Sequence, residues 1–389
     1  MINYNLLSTV DDSTLSLISL NSSLTLGNRI NIFSDISSPP DLNNADIAII
    51  GISEYRNCEN SLDESFSLNE IRKTFYNLYP GNWSVNIVDL GDLILGNSVS
   101  DTYLAMQSIV SGLLKNNILP VVIGGTQDLT YANYRSYDYL EKTVNIVNID
   151  SNFDLGDSSK PIKNTSFLGK IILDKPHNLF NYSVLGYQTY FNSQEEIDLM
   201  EKLYFEAYRL GELNNHIENA EPILRDANIV TLDLKSIRSS ELSSKQKFSP
   251  NGFDGKEICA ISRYAGISNK VSSFGIYEYM PSIEDEATEM LIAQILWYFI
   301  EGVNCRILDN NFNKAKDFQK FTVLIDKQEL IFLKSLKSSR WWVEIPFVQN
   351  INNKLEDHSL LPCMHQDYID ATKGIIPERW YKAQKKNII

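Results

Sequence analysis

The fold of this chain is decided by two apolar stretches, ILPVVIGG at residues 118–125 and VNIVNID at residues 144–150. Both are too short for helices, and both lack the alternation of a strand with one face in water. Each is therefore predicted to be a β-strand that is buried on both faces. The segment SDTYLAMQSIVSGLLKNN (100–117) has the period of an amphipathic helix, and Ser100 and Asp101 are placed to cap it.

Strand-like and helix-like segments alternate over most of the remaining chain. We predict further strands at residues 45–53, 83–92, 182–188, 227–234 and 271–279. We predict further helices at residues 67–80, 193–210, 255–266 and 284–302. Strands that alternate with helices indicate a parallel sheet covered by helices on both faces, which makes this an α/β protein.

The composition excludes several classes of protein. Of the 389 residues, 43% are hydrophobic and 22% are charged, which is the balance of an ordinary globular protein. The net charge of −14 argues against nucleic acid or an anionic membrane as a partner. The four cysteines share no CxxC spacing and are predicted to be reduced thiols. The N-terminus has no basic start followed by an apolar run, and the apolar segment 290–303 is too short to span a bilayer. We therefore expect a cytoplasmic protein without membrane insertion.

Residues 311–389 differ in charge from the rest of the chain. They carry 13 basic and 9 acidic residues, whereas residues 1–310 carry a net charge of −18. We therefore divide the chain into an α/β domain at 1–310 and a C-terminal extension at 311–389 that packs on this domain or on a partner. Adjacent residues of a strand face opposite sides, so the tandem Trp341–Trp342 predicts that one of the two rings is exposed or lies at an interface.

Polar side chains follow four of the predicted strands. They are Gln127, Asp150, Asn152, Asp154, Asp233, Lys235 and Glu278. The carboxyl ends of parallel strands meet at one edge of a sheet, where α/β proteins bind their ligands. Carboxylates that converge there raise one another's pKa unless a metal ion or a lysine neutralises them. Alternation along the chain directs Lys235 to the same side as Asp233.

The order of these segments resembles the ureohydrolase superfamily, which contains arginase, agmatinase and formimidoylglutamase. The segments are GGTQDLT (124–130), DSNFD (150–154), LDLK (232–235) and YEYMP (277–281), and residues 52–78 resemble formimidoylglutamases most. The resemblance covers residues 45–303. It implies a three-layer α/β sandwich with a mainly parallel sheet of about eight strands. It also implies a dinuclear manganese site whose bridging hydroxide attacks a guanidinium or amidine carbon.

Matched one residue at a time, the resemblance implies a degenerate metal site. Asp150, Asp154 and Asp233 retain three of the six ligands. The family's first histidine ligand falls on Gln127, and the aspartate before it falls on Thr126. The second histidine ligand falls on Asn152, and the second aspartate of the SxDxD segment falls on Lys235. Glu278 matches the acidic residue that family members use near the substrate guanidinium, and an alternative interpretation makes it a solvated or N-cap acid before the 284–302 helix.

The charge of Lys235 opposes metal binding. At about 4 Å and an effective dielectric near 20, each unit of like charge costs roughly 4 kcal/mol. We therefore predict that the Lys235 ammonium bridges Asp150, Asp154 and Asp233 in place of a metal, and that the protein has no cofactor.

This interpretation predicts an arginase-like, non-catalytic protein that binds a protein partner, a second copy of itself or a small cationic ligand at Glu278. The alternative is an active C–N hydrolase of the formimidoylglutamase or arginase type with a weak or single manganese site.

Overall fold

The architecture is built around one large, mainly parallel sheet. The computed structural model describes residues 2–58, 66–140, 143–157, 159–243, 249–280, 286–309, 317–326, 328–346 and 359–388. In these residues ten strands form this sheet: β1 (Leu7–Ser8), β2 (Asn31–Ile32), β3 (Ile47–Ile52), β4 (Ile87–Leu93), β5 (Leu119–Gly124), β6 (Val144–Ile149), β7 (Leu179–Tyr187), β8 (Glu206–Arg209), β9 (Ile229–Asp233) and β10 (Ser273–Tyr277). The strand order is β1-β4-β3-β5-β10-β9-β6-β7-β8, with β2 also paired to β4 and only β1 antiparallel to its neighbour.

The described helices of this domain are α1 (Asp12–Leu20), α2 (Asn69–Asn77), α3 (Val99–Lys115), α4 (Leu129–Arg135), α5 (Phe167–Leu173), α6 (Gln194–Lys202), α7 (Leu210–Asn215), α8 (Ala220–Arg225), α9 (Gly255–Ile267) and α10 (Glu286–Asn304). They cover both faces of the sheet. Ile47 and Ile49 of β3 pack in the core that α2, α9 and α10 share, whereas Ala48 and Ile50 pack in the core that α3 and α4 share. This alternation is the period of two that a strand imposes on its side chains. None of the described helices has the length and apolar character needed to cross a membrane.

The predicted α/β fold is confirmed, and two local predictions are wrong. Eight strands of the sheet have four or more described residues, and two further strands have only two. Helix α3 begins after Ser98, whose hydroxyl accepts from the backbone N–H of Asp101, so Ser98 rather than Ser100 is the N-cap. The predicted helix at 193–210 ends at Lys202. Tyr204 then adopts a left-handed backbone conformation, and β8 begins at Glu206.

The C-terminal extension contains a second, antiparallel sheet. Its strands are β11 (Phe318–Ile325), β12 (Gln328–Ser335), β13 (Trp341–Glu344) and β14 (Leu360–Cys363), which pair in that order. Helices α11 (His365–Thr372) and α12 (Glu378–Ile388) follow. Trp341 stacks on Phe321 and Tyr368, with ring centroids 5.0 and 5.2 Å apart. The extension therefore has its own small aromatic core.

The extension contacts the α/β domain through arginines. Arg379 of α12 donates to Glu206 of β8 at 2.8 Å, and Arg225 of α8 donates to the carbonyl of Cys363 at 3.0 Å. Arg225 also lies over the ring of Trp342, 4.6 Å from its centroid. Both tryptophans of the tandem are buried, so neither ring is exposed, and Trp342 lies where the two parts meet.

We expect the Arg379–Glu206 pair to stabilise the protein in a pH-dependent way. Glu206 is buried, but the charges of Arg379 and Lys386 outweigh the effect of burial and lower its pKa from 4.5 to about 2. A lowered carboxyl pKa contributes stability that is present above pH 4.5 and is lost as the pH falls towards 2. The wild type should therefore lose roughly 2 kcal/mol between pH 7 and pH 3 that Glu206→Gln does not lose.

Urea unfolding at the two pH values measures this difference. The matched control is Glu301→Gln, which breaks a partly exposed pair with Arg263 at 3.1 Å. This control should keep the acid sensitivity of the wild type. Equal acid sensitivity of the wild type and Glu206→Gln would contradict the assignment.

Candidate functional site

Four neighbouring strands bring the predicted site residues to one edge of the sheet. Strands β5, β10, β9 and β6 are adjacent and parallel, so their carboxyl ends lie side by side. In the pairing register, Tyr277 is opposite Asp233 and Ile149 is opposite Leu232. Glu278, Asp150 and Lys235 therefore begin the connections that leave this edge.

Three buried carboxylates meet at the centre of this edge. Asp150, Asp154 and Asp233 each offer an oxygen, and the three oxygens lie within 4.8 Å of one another. Burial raises the pKa of each carboxyl group above its usual range, and the charge of Asp150 raises the pKa of the other two further. One oxygen of Asp154, Oδ2, is buried without a hydrogen-bond partner. The cluster is therefore rich in acceptors and short of positive charge.

Lys235 does not bridge these aspartates. Its Nζ lies 2.7 Å from Oε2 of Glu278, and among the described residues no other carboxylate lies within 4.0 Å of it. Asp233 accepts instead from the backbone N–H of Lys235, at 2.6 Å. Burial alone would lower the pKa of Lys235, but the charges of Glu278 and Asp233 raise it. The prediction that the Lys235 ammonium replaces a metal among all three aspartates is wrong, because the side chain extends to the neighbouring strand end.

Glu278 is fully buried, so the interpretation as a solvated acid is also wrong. Its Oε1 accepts from the backbone N–H of Gln127 at 2.9 Å and from Nδ2 of Asn164 at 3.0 Å. Burial would raise the pKa of Glu278, but the Lys235 ammonium and these hydrogen bonds lower it. Residues 281–285, which include the predicted start of the next helix at 284, lie outside the described residues.

Two site residues have unusual backbone conformations. Glu278 has φ +65° and Asp154 has φ +54°, which is the left-handed region that non-glycine residues rarely adopt. Such a conformation costs on the order of 1 kcal/mol or more and persists only where the surroundings fix it. At Glu278 the fixing contact is a hydrogen bond from its own N–H to the carbonyl of Gly125 at 2.8 Å.

Gln127 belongs to a buried chain of amides. Its Nε2 donates to Oδ1 of Asn148 at 2.9 Å, and Nδ2 of Asn148 donates to Asp150 at 3.1 Å. The hydroxyl of Thr231 donates to the same Asn148 oxygen at 2.8 Å. Oε1 of Gln127 is buried without a partner. The amide at this position is therefore held on its nitrogen side and unsatisfied on its oxygen side.

The side chains of Thr126 and Asn152 make contacts outside the carboxylate cluster. The hydroxyl of Thr126 donates to the buried carboxylate of Asp128. Burial raises the pKa of Asp128 to about 6. Asn152 is half-buried, and its Nδ2 donates to the carbonyl of Phe191 at 3.3 Å. The side chain of Asn152 is thus directed towards the loop after β7.

Three residues of the site are missing from the sequence predictions. Asn148 is the second-last residue of β6, Asn164 lies between Asp154 and α5, and Tyr182 lies on β7. The hydroxyl of Tyr182 is buried without a partner, and the charges of Asp154 and Asp150 raise its pKa beyond the effect of burial. A polar residue inside an apolar strand, such as Asn148 in VNIVNI, is the signal that identifies such positions.

Comparison with known proteins agrees with this fold. The chain has a parallel sheet with a cluster of carboxylates at its strand ends. This arrangement is typical of α/β proteins that bind ligands at the carboxyl edge of the sheet. The Arginase family model matches residues 45–301. The chain belongs to the arginase family. The match ends before the C-terminal extension.

Formimidoylglutamases are among the similar relatives. The chain is 26% identical over 238 residues to formimidoylglutamase of Geobacillus sp., which covers 58% of this chain and 72% of that protein. It is 24% identical over 242 residues to formimidoylglutamase of Staphylococcus aureus, covering 59% of this chain and 77% of that protein.

Solved structures share the fold. The structure of Bacillus subtilis formimidoylglutamase superposes with a TM-score of 0.62 at 16% identity, over 69% of this chain and 90% of that chain. Trypanosoma cruzi formiminoglutamase with Mn²⁺ superposes with a TM-score of 0.60 at 18% identity, over 69% of this chain and 97% of that chain.

Proposed function

We propose that this arginase-family protein lacks the dinuclear manganese site and acts by binding a partner rather than by ureohydrolase catalysis. The observation that supports this most is the ion pair of Lys235 with Glu278, at 2.7 Å. A lysine stands at the sequence position where the family resemblance implies a metal-ligating carboxylate, and its ammonium is held by Glu278.

The donor set does not fit two manganese ions. Three carboxylates remain, and the two positions of the implied histidines hold the amides of Gln127 and Asn152. Amide nitrogens do not ligate metals as imidazoles do, so the nitrogen ligands that favour manganese over magnesium are missing. Nδ2 of Asn152 is also engaged with Phe191. A second ion would further lie close to the partly buried Lys235 ammonium, which adds a charge penalty of several kcal/mol.

Lys235 also fills the position of a cationic ligand. Glu278 matches the acid that the resemblance places near the substrate guanidinium, and here its Oε2 is bound by the chain's own amine. A free amine or guanidinium would have to displace this internal one. This favours a protein partner or a second copy of the chain over a small cationic ligand at Glu278.

A second candidate function has an observation of its own. The oxygens of Asp150, Asp154 and Asp233 lie within 4.8 Å of one another, and within the described residues none of these carboxylates has an ammonium within 4.0 Å. A single hard cation such as Mg²⁺ or Mn²⁺ prefers such oxygen ligands. This candidate is an active C–N hydrolase with one weakly bound metal.

Turnover assays separate the two candidates. We expect no release of urea, ammonia or formamide from arginine, agmatine or formimidoylglutamate, with or without added manganese. Asp233→Asn and Asp150→Asn should then not differ from the wild type. The matched control is Asp157→Asn, an exposed aspartate outside the cluster. Metal-dependent turnover that Asp233→Asn abolishes and Asp157→Asn retains would overturn the proposal in favour of the hydrolase.

A further inference from the structure

A pocket lies at the carboxyl edge of the sheet, away from the cluster of Asp150, Asp154 and Asp233. It has a volume of about 460 Å³ and lies beyond the ends of β7 and β8. As far as the chain is described, its lining includes Arg209 and Arg238 and no carboxylate-bearing residue. On a protein of net charge −14, a pocket lined in this way is a local exception. Its basic lining favours an anionic occupant.

Arg209, one of the two arginines of the pocket, is held in place at the end of β8. Tyr187 ends β7, Arg209 ends β8, and the two are paired in the strand register. Nε of Arg209 donates to the hydroxyl of Tyr187 at 3.1 Å, and its guanidinium carbon lies 6.0 Å from the centre of that ring. In the described residues no carboxylate lies within 4.0 Å of its guanidinium, so its terminal N–H groups are available to a ligand. A guanidinium with two free terminal groups matches the geometry of a carboxylate.

The wall of the pocket that contains Arg238 is held by close backbone packing and hydrogen bonds. Gly252 packs so closely on the backbone of Arg238 that a Cβ atom would lie 2.4 Å from its nitrogen. The backbone N–H of Arg238 donates to the carbonyl of Phe253 at 3.1 Å. Gln188 donates to the carbonyl of Asn251 at 3.1 Å and accepts from the hydroxyl of Tyr190. These bonds hold the loop after β7 against the segment after β9.

Aromatic surface borders the pocket. Tyr190 is 65% exposed and packs edge-to-face on Phe191, with ring centroids 4.6 Å apart. A flat apolar group can therefore stack at the rim while an anionic group reaches Arg209. The second arginine, Arg238, already binds Glu241 at 2.6 Å, so its charge is largely balanced.

We propose that this pocket binds a small monocarboxylate that carries a planar apolar group. The Arg209 guanidinium, which has no carboxylate within 4.0 Å among the described residues, matches one negative charge. The side chains of Glu212, close to Arg209, and Glu241 disfavour a doubly charged phosphate. The pocket is separate from the carboxylate cluster, so this site is independent of the proposed loss of manganese.

Calorimetric titration of the full chain with benzoate, without added metal, tests the proposal. We expect saturable binding, weakened about tenfold or more in Arg209→Gln, because a charge-assisted bond pair is lost. Tyr190→Ala should weaken it less. The matched control is Arg29→Gln, an exposed arginine at another pocket, which should bind like the wild type.

Two further probes define the ligand class. Phenyl phosphate should bind more weakly than benzoate, and benzylamine should not bind. The proposal is overturned by absence of saturable benzoate binding, by equal binding in Arg209→Gln, or by tighter binding of phenyl phosphate or benzylamine. None of these outcomes depends on whether the carboxylate cluster holds a metal, so failure here leaves the proposed function standing.

Discussion

Replacing Lys235 with methionine is expected to lower the free energy of unfolding at pH 7 by about 3 to 5 kcal/mol, because it removes a cationic partner from a buried carboxylate. Glu278 is fully buried, and the nearest cation to it among the described residues is the Lys235 ammonium at 2.7 Å. The hydrogen bonds from Gln127 and Asn164 remain in the variant, but they do not supply a charge. Urea unfolding of the wild type and the variant measures the loss.

The pH dependence of this loss has a definite sign. In the wild type the pKa of Glu278 is lowered, so its contribution to stability is present above about pH 4.5 and is lost as the pH falls. Without Lys235, burial raises the pKa of this carboxyl instead, and protonation then relieves the buried charge. The stability gap between the wild type and Lys235→Met should therefore be widest at neutral pH and narrow towards pH 4.

Two further variants test whether the loss of stability is specific to the Lys235–Glu278 pair. Lys270 has a similar exposure and lies 2.7 Å from Asp226, which is less buried than Glu278. Lys270→Met should cost about 1 kcal/mol or less. Adding Glu278→Gln to Lys235→Met should restore much of the loss, because both charges are then gone. An equal effect of the two lysine variants would contradict the assignment of Lys235 and Glu278 as a buried pair.

Restoring the implied ligands is expected to raise manganese affinity about a thousandfold or more. The variant combines Lys235→Asp with Gln127→His and Asn152→His. The lysine change removes a like charge and adds a carboxylate, and each unit of charge is worth several kcal/mol near a divalent ion. The two imidazoles add nitrogen ligands that suit manganese. Titration with Mn²⁺, followed by calorimetry, measures the change.

The control for this variant retains the lysine. Gln127→His with Asn152→His alone should gain much less affinity, because the ammonium still lies beside the site. Equal manganese affinity of the double and triple variants would show that the charge of Lys235 does not govern metal binding.

The main elements of the fold could be predicted from the sequence because they depend on short-range patterns. The runs ILPVVIGG and VNIVNID became β5 and β6 because continuous apolar residues require burial on both faces. The end of the helix predicted at 193–210 was harder to predict. The helical period of this segment continues into β8, and no proline or glycine marks the change at Tyr204. Its end depends on tertiary packing, which local propensity does not contain.

The site could be predicted only in part. The strand-end rule brought Asp150, Asp154 and Asp233 together as expected. The direction of Lys235 could not be derived, because β9 ends at Asp233 and Lys235 lies in a short 3-10 helix (Leu234–Ser236), where the alternation of a strand no longer applies. Glu278 also has a left-handed backbone conformation, which has no sequence signal at a glutamate.

The most direct test of the central claim is the metal content of the wild-type protein. The full chain is incubated with excess manganese, desalted and analysed by elemental mass spectrometry, with the triple variant Lys235→Asp, Gln127→His and Asn152→His as the positive control. We expect near-zero manganese in the wild type and retained manganese in the variant. Retention of about one manganese per chain or more by the wild type would contradict it.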